Sequence, residues 1–584
     1  MNKRFLLPLL LASAFFASLV PQDAMAQIES VRRLNANPAR YEALGFVVML
    51  SADWASPYDS ADVQLDLRLK SPSGGELVIP AYHESGESGS LSKWMARFAP
   101  LEEGEYSGQF VLKARSGQWQ SDDVVFSVAP SASKGFLHPA SDWTFRYDDG
   151  TPFRGMGMNI GWEARSVDDS RYFKALHENP RYNYEYMLGS LAGNGGNFFR
   201  TWMCSWNLPL EWNTVINTDR YANHSGRFNP SAIRRMDELV QLCDSLGIHM
   251  MLTLDHAGSY IGGEWDINSY NVANGGPASS LEDFFTNPLS IQRYKDRLRY
   301  IVARWGYSPS IGAWEFWNEV DNAMYSVEPR ISDEVVSNWH RQMADYLKSI
   351  DPAHRLVTTS VSHRDVQGLN DIDSIDFNQR HIYKATSSIP DAVRNYAARH
   401  GKPYVIGEFS YEWDWSKDFN AFAEDMDRDF SDGLWLGLFS STPVLPMSWW
   451  WEFFDSRGMT SCYANVRTIS DLMLEAGDGS MERIDASWSG DEGSVMGVSC
   501  RSGGGTGKLF FLIRNEAERD IAGVIRFQKA EGVAMGAVLA FDTATGAFSA
   551  GADCSFKEGW VELQTPELKA GRNLVMIVQL DPEQ

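Results

Sequence analysis

Residues 291–321 read IQRYKDRLRYIVARWGYSPSIGAWEFWNEVD, and this stretch decides the fold. Ile291, Tyr294, Leu298, Ile301, Val302 and Trp305 recur at helical spacing and give one apolar face to a helix that stops at Gly306. The run 311–317 that follows is short and almost wholly apolar, as a strand buried on both faces is. The unit recurs. Asn229 caps and Pro230 opens a helix whose face runs Ile233, Met236, Leu239, Val240, Cys243 and Leu246 up to Gly247, and the strand 250–254 comes next. Further strand-like runs lie at 153–156, 196–199, 356–359, 375–377, 404–406 and 445–449. Eight strands alternating with amphipathic helices predict a (β/α)8 TIM barrel with its active site at the C-terminal strand ends.

Outside this repeat the period changes. From 27 to 133 short strand-like runs (45–50, 63–67, 109–112, 123–128) alternate with turn clusters, which predicts a β-sandwich ending in the linker 129–133. After about Ser480 helical spacing disappears, and runs at 509–513, 523–527 and 574–578 predict a second sandwich. The glycine-rich stretch 502–509 lacks the first Gly and the final Ser or Thr of a phosphate loop and no helix follows it, so it reads as a hairpin turn. Lys3 and Arg4, the apolar run 5–20 and Ala24-Met25-Ala26 have the form of a signal peptide cut after Ala26. The expected domains are therefore a signal peptide (1–26), a β-sandwich (27–133), the barrel (134–479) and a C-terminal β-sandwich (480–584). The expected location is exported, periplasmic or secreted. No segment is long and apolar enough to span a membrane.

The 584 residues carry 52 basic against 76 acidic side chains, a formal net charge of −24. Such a surface repels phosphate backbones, so nucleic acid is not an expected partner. Five cysteines are too sparse for a disulfide scaffold. Cys243 belongs to a helix core face, Cys500 and Cys554 could pair within the C-terminal region, and no spacing resembles a zinc site.

The predicted strand ends concentrate polar and aromatic residues: Arg200 on the second, Asp255 and His256 on the third, Asn318 and Glu319 on the fourth, His381 and Tyr383 on the sixth, Glu408 on the seventh and Trp449-Trp450-Trp451 on the eighth. Two carboxylates facing one cavity from separate strands are what glycosidic cleavage needs, one to protonate the departing oxygen and one to attack the oxocarbenium-like carbon. Glu319 and Glu408 fit those parts. A cation at Glu408, with Arg200 the candidate, is expected to keep it ionised, while its charge raises the pKa of Glu319. Glu408 is then the nucleophile and Glu319 the acid/base. Glu315 is expected inside the barrel, Met203 and Met251 in the core, and Trp202 and Trp206 are either sugar platforms or loop packing.

Trp314-Glu315-Phe316-Trp317-Asn318-Glu319-Val320-Asp321 and Val405-Ile406-Gly407-Glu408-Phe409 resemble the two catalytic strands of retaining glycoside hydrolases of clan A, most of all the cellulase-type family five barrels. The resemblance covers about 135–477. It implies that Arg200 and Tyr383 steady the nucleophile, and that His256, Asn318, His381 and one of the three tryptophans, taken as Trp450, contact substrate. It implies no metal and no organic cofactor. Trp94 to Pro100 followed by Glu103-Gly104-Glu105-Tyr106 resembles the immunoglobulin-like domain that precedes such barrels in many bacterial polysaccharide-degrading enzymes.

The expected activity is hydrolysis of a β-linked poly- or oligosaccharide by double displacement. The alternative is a non-catalytic glycan-binding protein on the same barrel, against which both carboxylates count; a serine hydrolase is disfavoured because no Gly-x-Ser-x-Gly elbow is present. Arg165, Arg364 and Lys384 could line the cleft mouth, and Arg364 is expected to pair with a nearby acid, Asp365 being its neighbour. A neutral β-glycan is the expected substrate, a sulfated or uronate-containing glycan the second choice. Sugar, linkage, endo or exo action and oligomeric state stay open.

Overall fold

The computed structural model describes residues 26–490, 492–502, 506–529, 533–557 and 559–582. The signal-peptide reading falls on 1–26, of which 1–25 lie outside the described residues, as do 503–505 of the glycine-rich stretch. No helix among the described residues is long and apolar enough to cross a membrane.

The centre of the chain is a parallel barrel. Its strands are Gly157–Asn159, Phe198–Trp202, His249–His256, Ile311–Asn318, Leu356–Thr358 continued by Ser360–Val361, Asn378–Tyr383 and Tyr404–Ser410. Residues 444–448 supply the eighth edge through parallel bridges of Val444 to Gly155 and of Ser448 to Met158 and Phe409, which close the sheet on itself. Three strands begin later than the sequence suggests, the second of them at Phe198 instead of Gly196. Pro152–Phe153 is taken up by a small antiparallel sheet with Leu137–Pro139 and Phe145–Tyr147, so the first barrel strand starts at Gly157. The sixth starts at Asn378 because the Asp376 carboxylate accepts from Val357 N and Lys348 Nζ instead of facing the barrel. Leu137, Phe145 and Phe153 of the small sheet join Met251, Ala313, Leu356, Val405 and Met447 in one buried cluster that fills the N-terminal end of the barrel. The C-terminal end is left to the polar residues.

The helices follow the sequence. Pro230–Leu246 is capped by the Asn229 side chain on Ser231 N and terminated by Gly247 at φ 65°, a left-handed conformation that Gly adopts without penalty. Pro288–Trp305 delivers the fourth strand.

On the N-terminal side, strands from Gln27–Arg33 to Val124–Val128 form an antiparallel sheet system with its own core, in which Phe46, Leu65, Trp94, Phe110 and Phe126 are buried. It rests on the helix Pro288–Trp305: Tyr58 packs edge-on against Phe228 and Tyr300, Ser60 bonds Asp296 at 2.6 Å, and Arg299 and Arg304 pair with Asp66 and Glu84 at 2.6 and 2.9 Å. On the C-terminal side a six-stranded and a four-stranded antiparallel sheet bury Leu509, Phe511 and Ile513 against Ile525, Phe527, Val561 and Leu563. Gly493–Arg501 pairs with Gly507–Asn515 on either side of the glycine-rich stretch, so paired strands flank it as in a hairpin.

The Cys500–Cys554 pairing that the sequence allows is not formed, and all five cysteines are free. Cys500 faces the barrel side of its sheet, within the large central core, whereas Cys554 packs against the core on the other face.

Candidate active site

The strand ends converge on a cavity of about 710 Å³ lined by Trp202, Asn318, Glu319, Asn322, Ser362, His363, His381, Tyr383, Lys384, Glu408, Trp413, Trp415 and Trp449. Beneath it lies Arg200, with no exposed surface, spending all its donors on four side chains. Its Nε and Nη2 donate to Glu315 Oε2 and Oε1 at 2.6 and 2.8 Å, Nη1 donates to Glu408 Oε1 at 2.8 Å and Asn159 Oδ1 at 3.0 Å, and Nη2 also reaches Asn318 Oδ1 at 2.7 Å. Glu315, internal to the barrel as expected, takes a further bond from Thr253 Oγ1. Burial works against the Arg200 charge, but Glu315 and then Glu408 outweigh it and keep the guanidinium protonated.

Tyr383 Oη donates to the other Glu408 oxygen, Oε2, at 2.6 Å. His381 Nδ1 stands 2.8 Å from Glu319 Oε1 and 3.4 Å from Glu408 Oε2, so its ring is wedged between the two carboxyls. One oxygen of Glu319, one of Glu408 and a His381 nitrogen lie within 4.8 Å of one another. These atoms are engaged with each other, Arg200 and Tyr383, the arrangement of groups that share protons.

Burial raises the Glu319 carboxyl to about 7, helped by the Asp321 charge and opposed by Arg200 and by the bond from Asn322. His381 is pushed down to about 4, burial outweighing the pull of Glu408, so it is neutral at pH 7. The Glu408 carboxyl also shifts upward: burial exceeds the opposing effects of His381 and Arg200. Arg200 acts on Glu408 in the expected sense, favouring its ionised form, and burial is the larger effect.

Arg200, Asn318, His381 and Tyr383 are thus brought to the two glutamates. Two expected contacts are not. His256 is seated behind Trp202, stacked on it with centroids 5.1 Å apart, and does not line the cavity. Trp450 is turned away as well: its backbone is left-handed (φ 67°), its Nε1 donates to Glu412 O at 2.8 Å and its ring stacks on Phe173. Trp449 takes the place at the cavity, its ring 5.1 Å from that of Trp202. Trp202 is therefore a cavity wall, while Trp206 packs edge-on against His256.

The sequence reading missed Asn322, Ser362, His363, Trp413 and Trp415. The two tryptophans carry a legible signal, since Tyr411-Glu412-Trp413-Asp414-Trp415 follows the seventh strand directly and alternates aromatic with acidic residues. Burial opposes the Glu412 charge, but bonds from Lys384, Lys417 and two backbone N–H groups prevail and lower it to about 2. So anchored, Glu412 holds the loop with Trp413 56% and Trp415 48% exposed.

The three cations each have a carboxylate partner. Arg165 pairs with Asp168 at 2.6 Å and Lys384 with Glu412 at 2.8 Å. Arg364 turns to Asp321 (3.5 Å) and Asn322 (3.0 Å), not to its neighbour Asp365, which accepts from Tyr396.

Residues 149–428 match the family model Cellulase (glycosyl hydrolase family 5). Mannan endo-1,4-beta-mannosidase A of Podospora anserina is 27% identical over 278 residues, 42% of this chain and 70% of that protein. Mannan endo-1,4-beta-mannosidase 4 of Solanum lycopersicum is 27% identical over 192 residues, 27% of this chain and 44% of its own length. A candidate glycoside hydrolase of Bacteroides vulgatus, known as a crystal structure, matches 93% of this chain and 100% of its own with a TM-score of 0.64 at 14% identity, which shows a shared fold. The chain is a retaining β-glycoside hydrolase, similar over residues 149–428, just under half of its length, to the family 5 cellulases.

Proposed function

We propose that the protein hydrolyses a neutral β-1,4-linked glycan of the mannan type, with Glu408 as nucleophile and Glu319 as acid/base. The observation that carries the reading is the approach of the two carboxyl groups, within 4.8 Å through their nearest ligand atoms. So close an approach favours double displacement over inversion, in which the two carboxyl groups stand further apart. Glu319 at about 7 is still protonated in about half of the molecules in neutral solution and can give that proton to the leaving oxygen. Arg200 and Tyr383, one on each Glu408 oxygen, orient the carboxylate for in-line attack and release it as the glycosyl ester forms. Glu319, having given up its proton, then activates the water that hydrolyses the ester. Asn318, through Arg200, and Trp202, Trp413, Trp415 and Trp449 on the walls provide for hydroxyls and apolar sugar faces.

Neutrality of the substrate is supported by the cations near the mouth. Lys384, the one that lines the cavity, is paired with Glu412, which leaves no unpaired positive partner for a sulfate or uronate there. Mannan is favoured among neutral glycans by the relatives that bear that name. We read 27–133 as an immunoglobulin-like sandwich, 134–479 as the barrel domain and 480–584 as a second sandwich, both sandwiches being accessory, and 1–26 as an export signal.

The test follows the anomeric signals of manno-oligosaccharide products by NMR at early times. The β-anomer first, with Glu408→Gly inactive but partly restored by azide, is the expected result. The α-anomer first overturns Glu408 as nucleophile.

A further inference from the structure

Glu319 opens the short helix Val320–Met324 in a left-handed conformation, φ 54° and ψ 51°. A side chain held there needs its surroundings to fix it. Its N–H bonds Ser360 Oγ at 3.1 Å, and the second and third residues after it, Asp321 and Asn322, are tied to the loop after the fifth strand. Asp321, with no exposed surface, accepts from Ser362 N at 2.7 Å, Ser362 Oγ at 2.6 Å and Arg364 N at 3.2 Å. Asn322 bridges back: its Oδ1 accepts from Arg364 Nη1 at 3.0 Å, and its Nδ2 donates to Glu319 Oε2 at 2.8 Å. The Ser362 hydroxyl has one proton, and the shorter contact assigns it to Asp321. Arg364 is therefore what turns the Asn322 carbonyl outward and its NH2 toward Glu319.

The second Glu319 oxygen faces His381 Nδ1. His381 Nε2 is buried without a partner, so placing the proton on Nδ1 avoids an unmet N–H. Each Glu319 oxygen then accepts from one fixed donor, and the proton to be transferred occupies a remaining lone pair.

We propose that Asp321 and Asn322 are a pair of positioning residues that tune Glu319 in opposite senses, Asp321 favouring its protonated form and Asn322, oriented by Arg364, its ionised form. The proposal rests on Glu319 being the acid/base. The other groups that act on Glu319 are Arg200 on the second strand, His363 beyond the fifth, His381 and Tyr383 on the sixth and Glu408 on the seventh, and none is altered in the test. The charge of Asp321 raises the Glu319 carboxyl and the bond from Asn322 lowers it.

The alkaline limb of kcat/KM on an unactivated manno-oligosaccharide reports Glu319. Asp321→Asn keeps the shape, removes the charge and is expected to move that limb to lower pH, by about one pH unit. Asn322→Ala and Arg364→Met are expected to move it to higher pH, because Glu319 loses a donor to its ionised form. A purely structural role would lower the rate without moving the limb, or would move it the same way in all three. Either result overturns the proposal. If Asp321→Asn does not fold, as judged by circular dichroism, Asn322→Ala and Arg364→Met decide, and a limb unmoved or displaced downward in both is refuting. Glu319→Ala on an activated aryl glycoside separates the two levels. If the parent's alkaline limb persists in that variant, the acid/base assignment falls; if it vanishes while the other variants leave the limb in place, only the pairing of Asp321 with Asn322 falls.

Discussion

Replacing Glu319 by Gln should stabilise the protein in alkaline solution while it removes the acid. A carboxyl raised from 4.5 to about 7 by the fold takes up a proton on folding. Below pH 4.5 the folded and unfolded states are both protonated, and the group contributes equally to each. Between 4.5 and 7 the unfolded chain ionises while the native state does not, so native stability is lost as pH rises, and the loss is complete above about 7. The size is about 3 kcal/mol from the displacement alone. About a fifth of the Glu319 side chain is open to solvent, which brings the figure nearer to about 2 kcal/mol. Glutamine has no such term. Its amide meets the donors Asn322 and His381 and gives an offset of its own, but that offset does not vary over the range, so the pH-dependent part of the difference isolates the charge. The assay is calorimetric unfolding of both proteins at pH 5 and pH 8. The variant should gain on the parent by about 2 to 3 °C between the two values. A melting difference that is the same at both pH values refutes the argument that Glu319 is held protonated by its surroundings.

Tyr383→Phe removes one hydrogen bond to Glu408 and should lower kcat by about 10- to 100-fold with little change in KM, measured on aryl glycosides. Trp413→Ala and Trp415→Ala, which remove the exposed rings of the wall, should raise KM for longer oligosaccharides by roughly tenfold and leave short aryl glycosides nearly unaffected; equal losses on both would show that the rings only support the loop. The activity profile itself should be bell-shaped, with an alkaline limb near 7 from Glu319 and an acid limb from Glu408 that burial displaces upward from the usual carboxylate range. Deleting 27–133 uncovers Tyr300 and leaves the partly buried Arg299 and Arg304 without Asp66 and Glu84, so a lower melting temperature with retained chemistry is expected in calorimetry and aryl-glycoside assays.

The barrel could be read from the sequence because each buried strand and amphipathic helix announces itself through local spacing, and Glu319 and Glu408 because each ends such a strand. What the sequence left ambiguous had a different physical origin. Trp449, Trp450 and Trp451 are chemically alike, and which one faces the cavity is settled by a backbone torsion at Trp450 and a bond to Glu412 O, neither of which has a periodic signature. His256 ends a strand as the catalytic residues do, yet Trp202, from the neighbouring strand, covers it. The upward shift of Glu408 has a related origin: that Arg200 reaches Glu408 follows from strand order, but the burial that outweighs it depends on how the strand ends pack around the carboxyl. The tuning of Glu319 by Asp321 and Asn322 lies furthest from what spacing can show. It runs through Ser362 and Arg364, some 40 residues downstream, and becomes visible only when the fifth strand brings that loop against the fourth. Patterns local in sequence give the scaffold and the reacting groups, while the proton affinities on which the chemistry depends come from contacts made across strands.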